Sequence, residues 1–217
     1  MTEQTRNITE AVIAQKGEDR LMQLRKEKSL KYIAKSERHL RRLRTLHLYG
    51  STLEEVQTNK DDAYFGTWFD DIGKGDVQVM HSILDHFEPL EIITNMGHNY
   101  RIKFSPKSAL VALDFRPSDE IPNNKYILDG VEIAIQAYSE EEKTSINKSY
   151  LYSSILRIAK ELILYFPMDE VSFDVNCKKL MMSQQHFDVS HEQVQHFLES
   201  SYEEDFNQQF EARVLNS

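Results

Sequence analysis

Residues Ser153–Cys177, SSILRIAKELILYFPMDEVSFDVNC, change their hydrophobic period part-way along, and that change decides the fold. Leu151, Ile155, Ile158, Leu162 and Phe166 recur at three- and four-residue steps and line one helical face, which Leu156, Ile163 and Leu164 widen. A helix that apolar is buried on more than one side. Ser139-x-x-Glu142 opens it as a capping box, and Pro167 stops it. Beyond the proline, Val171, Phe173, Val175 and Cys177 alternate with Ser172, Asp174 and Asn176. That is the pattern of a strand packed on one face. A buried helix feeding a half-buried strand predicts an α+β fold.

On either side, the twofold period predicts further strands. Leu90 to Thr94 and Tyr100 to Phe104 flank the glycine-containing segment Asn95–Asn99 as a hairpin. Ala109 to Phe115 is apolar enough for a central strand, and Val131, Ile133 and Ile135 alternate with polar or small residues. Arg116 to Asn124 reads as a polar loop. Leu180 to Phe187 is read as a partner strand, Ser190-x-x-Gln193 as the cap of a final helix to about Glu203, and the tail beyond Asp205 as fraying. The expected body is a mixed, mainly antiparallel sheet packed on the helix at 142–166. Its opposite face would present Arg101, Lys103, Glu132, Gln136, Ser172, Asp174 and Asn176.

The N-terminal part reads as helix. Leu30, Ile33, Leu40, Leu43 and Leu46 form a stripe within a helical segment at 8–48, continued less cleanly by Ile8, Val12, Ile13, Leu21 and Leu24. Gly17 predicts a break. Ser51-x-x-Glu54 predicts a capping box before a short helix at 52–58. Residues 59–76 read as a loop anchored by Tyr64, Phe65, Trp68 and Phe69. Asp76 then caps a helix from Val77 to Phe87. The expected division is a basic helical segment at 1–50 and an acidic α+β domain at 51–217.

Charge sharpens that division. The chain of 217 residues carries a net charge of -9, but residues 20–44 hold ten basic side chains against Glu27 and Glu37. That segment is +8; residues 1–19 are -2, and the remainder is -15. Arg25, Lys28, Lys31, Lys35, Arg38, Arg41, Arg42 and Arg44 are the candidate binding residues. Several cations on one helical surface can meet a polyanion and release its counterions. The same segment can also be a solvated helix, dock on an acidic protein, or oligomerise through residues 8–48.

Composition excludes other classes. A single cysteine excludes a disulfide framework and a multi-thiolate zinc site. No apolar run reaches the roughly 20 residues of a membrane span, and Met1–Glu10 lacks an apolar leader, so a cytoplasmic protein without membrane contact is expected.

Catalytic constellations are incomplete. Gly66 and Gly73-Lys74-Gly75 have six intervening residues and no hydroxyl after the lysine, so they do not make a phosphate loop. Asp70, Asp71 and Asp76 read as loop and cap residues rather than metal ligands. His186, His191 and His196 are five residues apart and do not share a helical face. Cys177 reads as a small buried residue. A metal-dependent nuclease would pair Asp114 with Glu132 on the next strand, but the Glu-x-Lys lysine is missing. No catalytic residue, cofactor or metal site is therefore assigned, and the function expected is binding or assembly. The nuclease stands as an alternative.

Residues 100–197 also carry a recognisable order: Tyr100-Arg-Ile-Lys-Phe-Ser-Pro106, then Ala109-Leu-Val-Ala-Leu-Asp-Phe-Arg-Pro-Ser-Asp-Glu-Ile-Pro122, the helix around Ser153–Leu162, and Val171–Asn176. This resembles an uncharacterised bacterial module associated with restriction-type and mobile-element proteins. The resemblance implies a setting in bacterial or phage genome defence, and it transfers no catalytic residue.

Overall fold

The computed structural model describes residues 3–62, 65–116, 121–177, 180, 182–199 and 205–215, with the backbone alone at 3–14 and 182–184. Tyr64, the proline-containing part of the loop at 117–120 and the expected end of the last helix near Glu203 lie outside these residues.

Backbone contacts divide the chain into two compact units. The smaller joins residues 1–41 to residues 122–139; the larger holds residues 42–121 and 140–217. The sequence reading placed a single cut near residue 50. The chain instead returns to the first unit for an excursion at 122–139.

In the smaller unit, helix α1 runs Glu3–Arg44, its last three residues counting with the larger unit. The break expected at Gly17 is absent. No proline interrupts the segment, and its many Lys, Arg, Glu, Gln and Leu residues favour helix. Strands β1 (Asn99–Ser105) and β2 (Ser108–Asp114) belong to the larger unit. The excursion between β2 and the next helix is an antiparallel hairpin, β3 (Asn124–Asp129) and β4 (Glu132–Ala137). Gly130 turns it at φ 62°, in the left-handed region that glycine tolerates. Ser29 donates its hydroxyl to the Val131 carbonyl at 2.9 Å, and Tyr32 meets Tyr126 edge-on at 5.3 Å. These contacts hold α1 to the hairpin. A two-stranded hairpin is marginal alone.

The larger unit carries the α+β body. Helices α2 (Leu53–Asp61), α3 (Gly66–Gly73), α4 (Val77–Phe87) and α5 (Glu91–Asn95) precede β1, and α6 (Glu140–Tyr165) precedes β5 (Glu170–Cys177). β6 (Met182–Ser190), α7 (His191–Glu199), α8 (Phe206–Phe210) and a π-helical turn at Glu211–Leu215 follow. The sheet order is β1-β2-β5-β6, with β2 and β5 parallel and the outer pairs antiparallel. This is the mixed, mainly antiparallel sheet expected. Val111, Leu113, Val171, Phe173 and Val175 are buried with Ile155, Ile158 and Leu162 of α6.

Several local expectations are corrected. Leu90 to Thr94 is helical, because Leu90 and Ile93 are buried at a three-residue spacing and the His98 amide closes on the Ile93 carbonyl. The loop at 59–76 contains α3, which carries Trp68 and Phe69. The capping box is Thr52 with Glu55, one residue later than read, because the Ser51 amide is taken by the Glu161 carboxylate at 3.0 Å. The tail beyond Asp205 folds over Phe206–Leu215. Phe206, Phe210 and Val214 are buried, and Phe210 stacks on Tyr152 at 4.2 Å.

Candidate functional site

The helical repeat of α1 sorts its side chains into opposed ridges. Ser29, Ile33, Ser36 and Leu40 follow four- and three-residue steps; Ile33 and Leu40 are buried, and Ser29 is tied to the hairpin. Lys28, Lys31, Lys35 and Arg38 follow the complementary steps on the other side, and all four are exposed. The spacing continues to Arg42, also exposed. At 100° per residue these five cations fall within about 80° of arc, and at 1.5 Å per residue they span about 21 Å. The hairpin grips the opposite ridge, so the cations of the smaller unit are directed away from it.

The other expected binding residues are placed differently. Arg25 is exposed on the flank of the ridge, and Arg41 is exposed on the other flank. Arg44 is half-buried, on the side of Ile33 rather than of the cations. Among the described residues, Lys28, Lys31, Lys35, Arg38 and Arg42 make no ion pair with the chain's own carboxylates.

The larger unit presents a polar sheet face opposite the core. Register aligns Arg101, Ala112, Asp174 and His186 in one row across the four strands, and Lys103, Leu110, Ser172 and Asp188 in the next. A groove of about 930 Å³ lies along this face and its end, lined among others by Asn99, Arg101, Asp114, Arg116, Asp174 and Asn176. Two of its carboxylates are locally matched. Arg116 grips the Asp114 carboxylate through two nitrogens, at 2.7 and 3.0 Å. His186 Nδ1 meets Asp174 at 2.8 Å, and the hydrogen bond raises the imidazole above its ordinary value. Glu132 and Gln136, expected on this face, are not on this sheet: they sit on β4 in the separate hairpin. Asp114 and Glu132 therefore do not occupy neighbouring strands of one sheet, which the nuclease reading requires. Among the described residues no cluster of His, Cys, Asp and Glu is arranged to hold a metal.

Two buried polar clusters were not read from the sequence. His98 lies within the larger unit, its Nδ1 accepting from the Arg116 amide at 3.1 Å and its Nε2 meeting the Tyr150 hydroxyl at 2.7 Å. Burial pushes it down to about 4. On α6, Arg157 and Glu161 pair at 3.0 Å, one helical turn apart, both buried. Lys160 donates to the Tyr49 carbonyl at 3.1 Å, and His47 binds Ser153 through both its amide and its ring. Arg157-x-x-Lys160-Glu161 within an otherwise apolar helix was the available signal: charges on a buried helix need partners inside. These groups tie the turn at 46–51 to α6.

Comparison with protein-family models, curated proteins and solved structures returned no match.

Proposed function

We propose that the protein binds the phosphate backbone of nucleic acid through Lys28, Lys31, Lys35, Arg38 and Arg42, as a binding or assembly component. The observation that carries this reading is the single exposed cationic ridge, backed by a hairpin and unpaired with the chain's own carboxylates among the described residues. A rigid helix already fixes the backbone of these cations at a regular spacing, so the ordering cost of meeting a row of phosphates falls on their side chains alone. Residues outside 20–44 are net acidic, which concentrates attraction for a polyanion on α1. Nothing in the ridge reads bases, so binding is electrostatic and independent of sequence. The resemblance of residues 100–197 to a module of restriction-type and mobile-element proteins supports a genome-defence setting.

The test is fluorescence anisotropy with labelled duplex and single-stranded oligonucleotides from 50 to 300 mM salt. Neutralising five phosphates gives a log–log salt slope of about -4.5 on duplex DNA. Replacing Lys28, Lys31, Lys35 and Arg38 together by Gln flattens that slope by about 3.6. Absence of binding at 50 mM salt, or unaltered binding by the fourfold variant, refutes the reading; capture of an acidic polypeptide instead would reassign the ridge to a protein partner.

A further inference from the structure

From Gly17 to Arg42 one line of α1 runs through Gly17, Leu21, Leu24, Lys28, Lys31, Lys35, Arg38 and Arg42 at four- and three-residue steps. The ridge assigned to phosphate occupies only its C-terminal part. The N-terminal part is apolar or small, and it faces solvent. Leu21 is 58% exposed, Leu24 53%, and Met22 beside them 49%. Every residue from Gln15 to Lys28 is exposed, so no side of α1 over these four turns is packed on the described residues of its own unit. Gly17 meets nothing within 4 Å of where a Cβ would stand. In an exposed helix, glycine weakens the element relative to alanine, and among the described residues nothing makes use of the missing side chain.

We infer that this segment is a self-association site, at which α1 of a second copy crosses antiparallel with Gly17, Leu21 and Leu24 at the contact. Leucines three residues apart supply the apolar ridge that helix pairs bury, and a glycine one turn away lets a second backbone approach. Charge selects the occupant and its direction. Residues 20–44 carry net +8 and residues 1–19 net -2. A parallel pair would set one +8 segment beside the other. An antiparallel pair sets each beside the partner's acidic end, so the surface is complementary to its own copy. The contact ends one turn before Lys28, and the two cationic ridges then lie at opposite ends of the pair. The inference rests on the exposed apolar line and the charge split of α1, and it does not depend on whether the ridge takes nucleic acid.

Sedimentation equilibrium of the full chain, without nucleic acid, reads the mass directly. The chain of 25.5 kDa is expected to sediment as a dimer at micromolar concentration. Leu21→Glu with Leu24→Glu should weaken dimerisation by roughly a hundredfold or more, since four leucines leave the contact. Leu21→Gln with Leu24→Gln should do the same without added charge, and both pairs change only exposed positions. Direction is read by a spin label on Ala34→Cys, an exposed site off the cationic line; the native Cys177 is buried. With the crossing at Leu21, the two labels stand about 40 Å apart in the antiparallel pair and about 10 Å apart in a parallel one. A monomer at 100 µM, a dimer indifferent to either double substitution, or a short label distance overturns the inference.

Discussion

Lowering the pH from 7 to 5 should cost the protein about 4 kcal/mol of stability through two buried histidines, and replacing one of them should remove about half of that loss. His98 is fully buried and stacked on Phe115 at 4.3 Å. Its Nδ1 accepts from the Arg116 amide, so the ring proton sits on Nε2 and is donated to Tyr150. A second proton would have to enter at Nδ1, against an N–H. Burial is the main cause that pushes the ring down to about 4, the Arg116 guanidinium adds to it, and Asp114 opposes. His47 is pushed to about 4 by burial and then by Lys160. The unfolded chain takes up protons near pH 6.5, whereas the folded chain does not until about pH 4. The stability is thus fully present above pH 6.5 and is lost as pH falls through that window. At 1.36 kcal/mol per pKa unit, each ring accounts for about 2 kcal/mol by pH 5 and about 3 kcal/mol by pH 4. Urea denaturation at pH 7, 6, 5.5 and 5 measures this for the parent, His98→Gln, His47→Gln and the double variant. His98→Gln will be less stable at every pH, but the readout is the change between pH 7 and 5, which should shrink by about 2 kcal/mol. His186 has the opposite sign, because Asp174 raises it and its contribution fades as pH rises; it is common to all four proteins and cancels in their differences. Equal pH dependence in the parent and His98→Gln would refute the argument.

Other outcomes follow from the buried charges and the C-terminal segment. Glu161→Gln leaves the buried Arg157 guanidinium without its carboxylate and should destabilise by about 3–5 kcal/mol in the same urea assay, with Arg157→Met plus Glu161→Met recovering much of the loss. Gly50→Ala places a methyl against the Arg157 guanidinium at φ +104°, and should lower stability by more than the roughly 1–2 kcal/mol that the left-handed backbone alone costs. Phe210→Ala removes a fully buried ring stacked on Tyr152 and should cost about 3–5 kcal/mol; a neutral result would show that the segment beyond Asp205 does not pack.

The elements that could be read from the sequence are those where one local signal dominates. α6 and β5 were legible because a long apolar helical period ends at a proline and a clean twofold alternation begins. Asp76 was legible as a cap, and it accepts from the amides of Gln78 and Val79 as such a residue should. α5 was not, since Leu90, Ile92 and Ile93 fit a strand equally well until burial of Leu90 and Ile93 selects the helix. The C-terminal helix was missed although Phe206, Phe210 and Val214 stand four residues apart; their polar neighbours hid the stripe. The cations of α1 were identifiable one by one. That five of them share a ridge and that Arg44 does not depends on the helix running unbroken and on which side the hairpin takes, neither of which charge counting supplies. The partnership of α1 with residues 122–139 pairs segments about a hundred residues apart, and no local pattern announces it.

That distance along the chain has a consequence during synthesis. The ribosome completes α1 at Arg44 and must add 95 more residues before the excursion is complete at Ser139. At ordinary elongation rates this takes about 5–20 s, a long interval beside the microseconds in which a helix forms. Throughout it, the strongly basic stretch stands on the nascent chain, beside ribosomal RNA and the messenger, without its completed hairpin support.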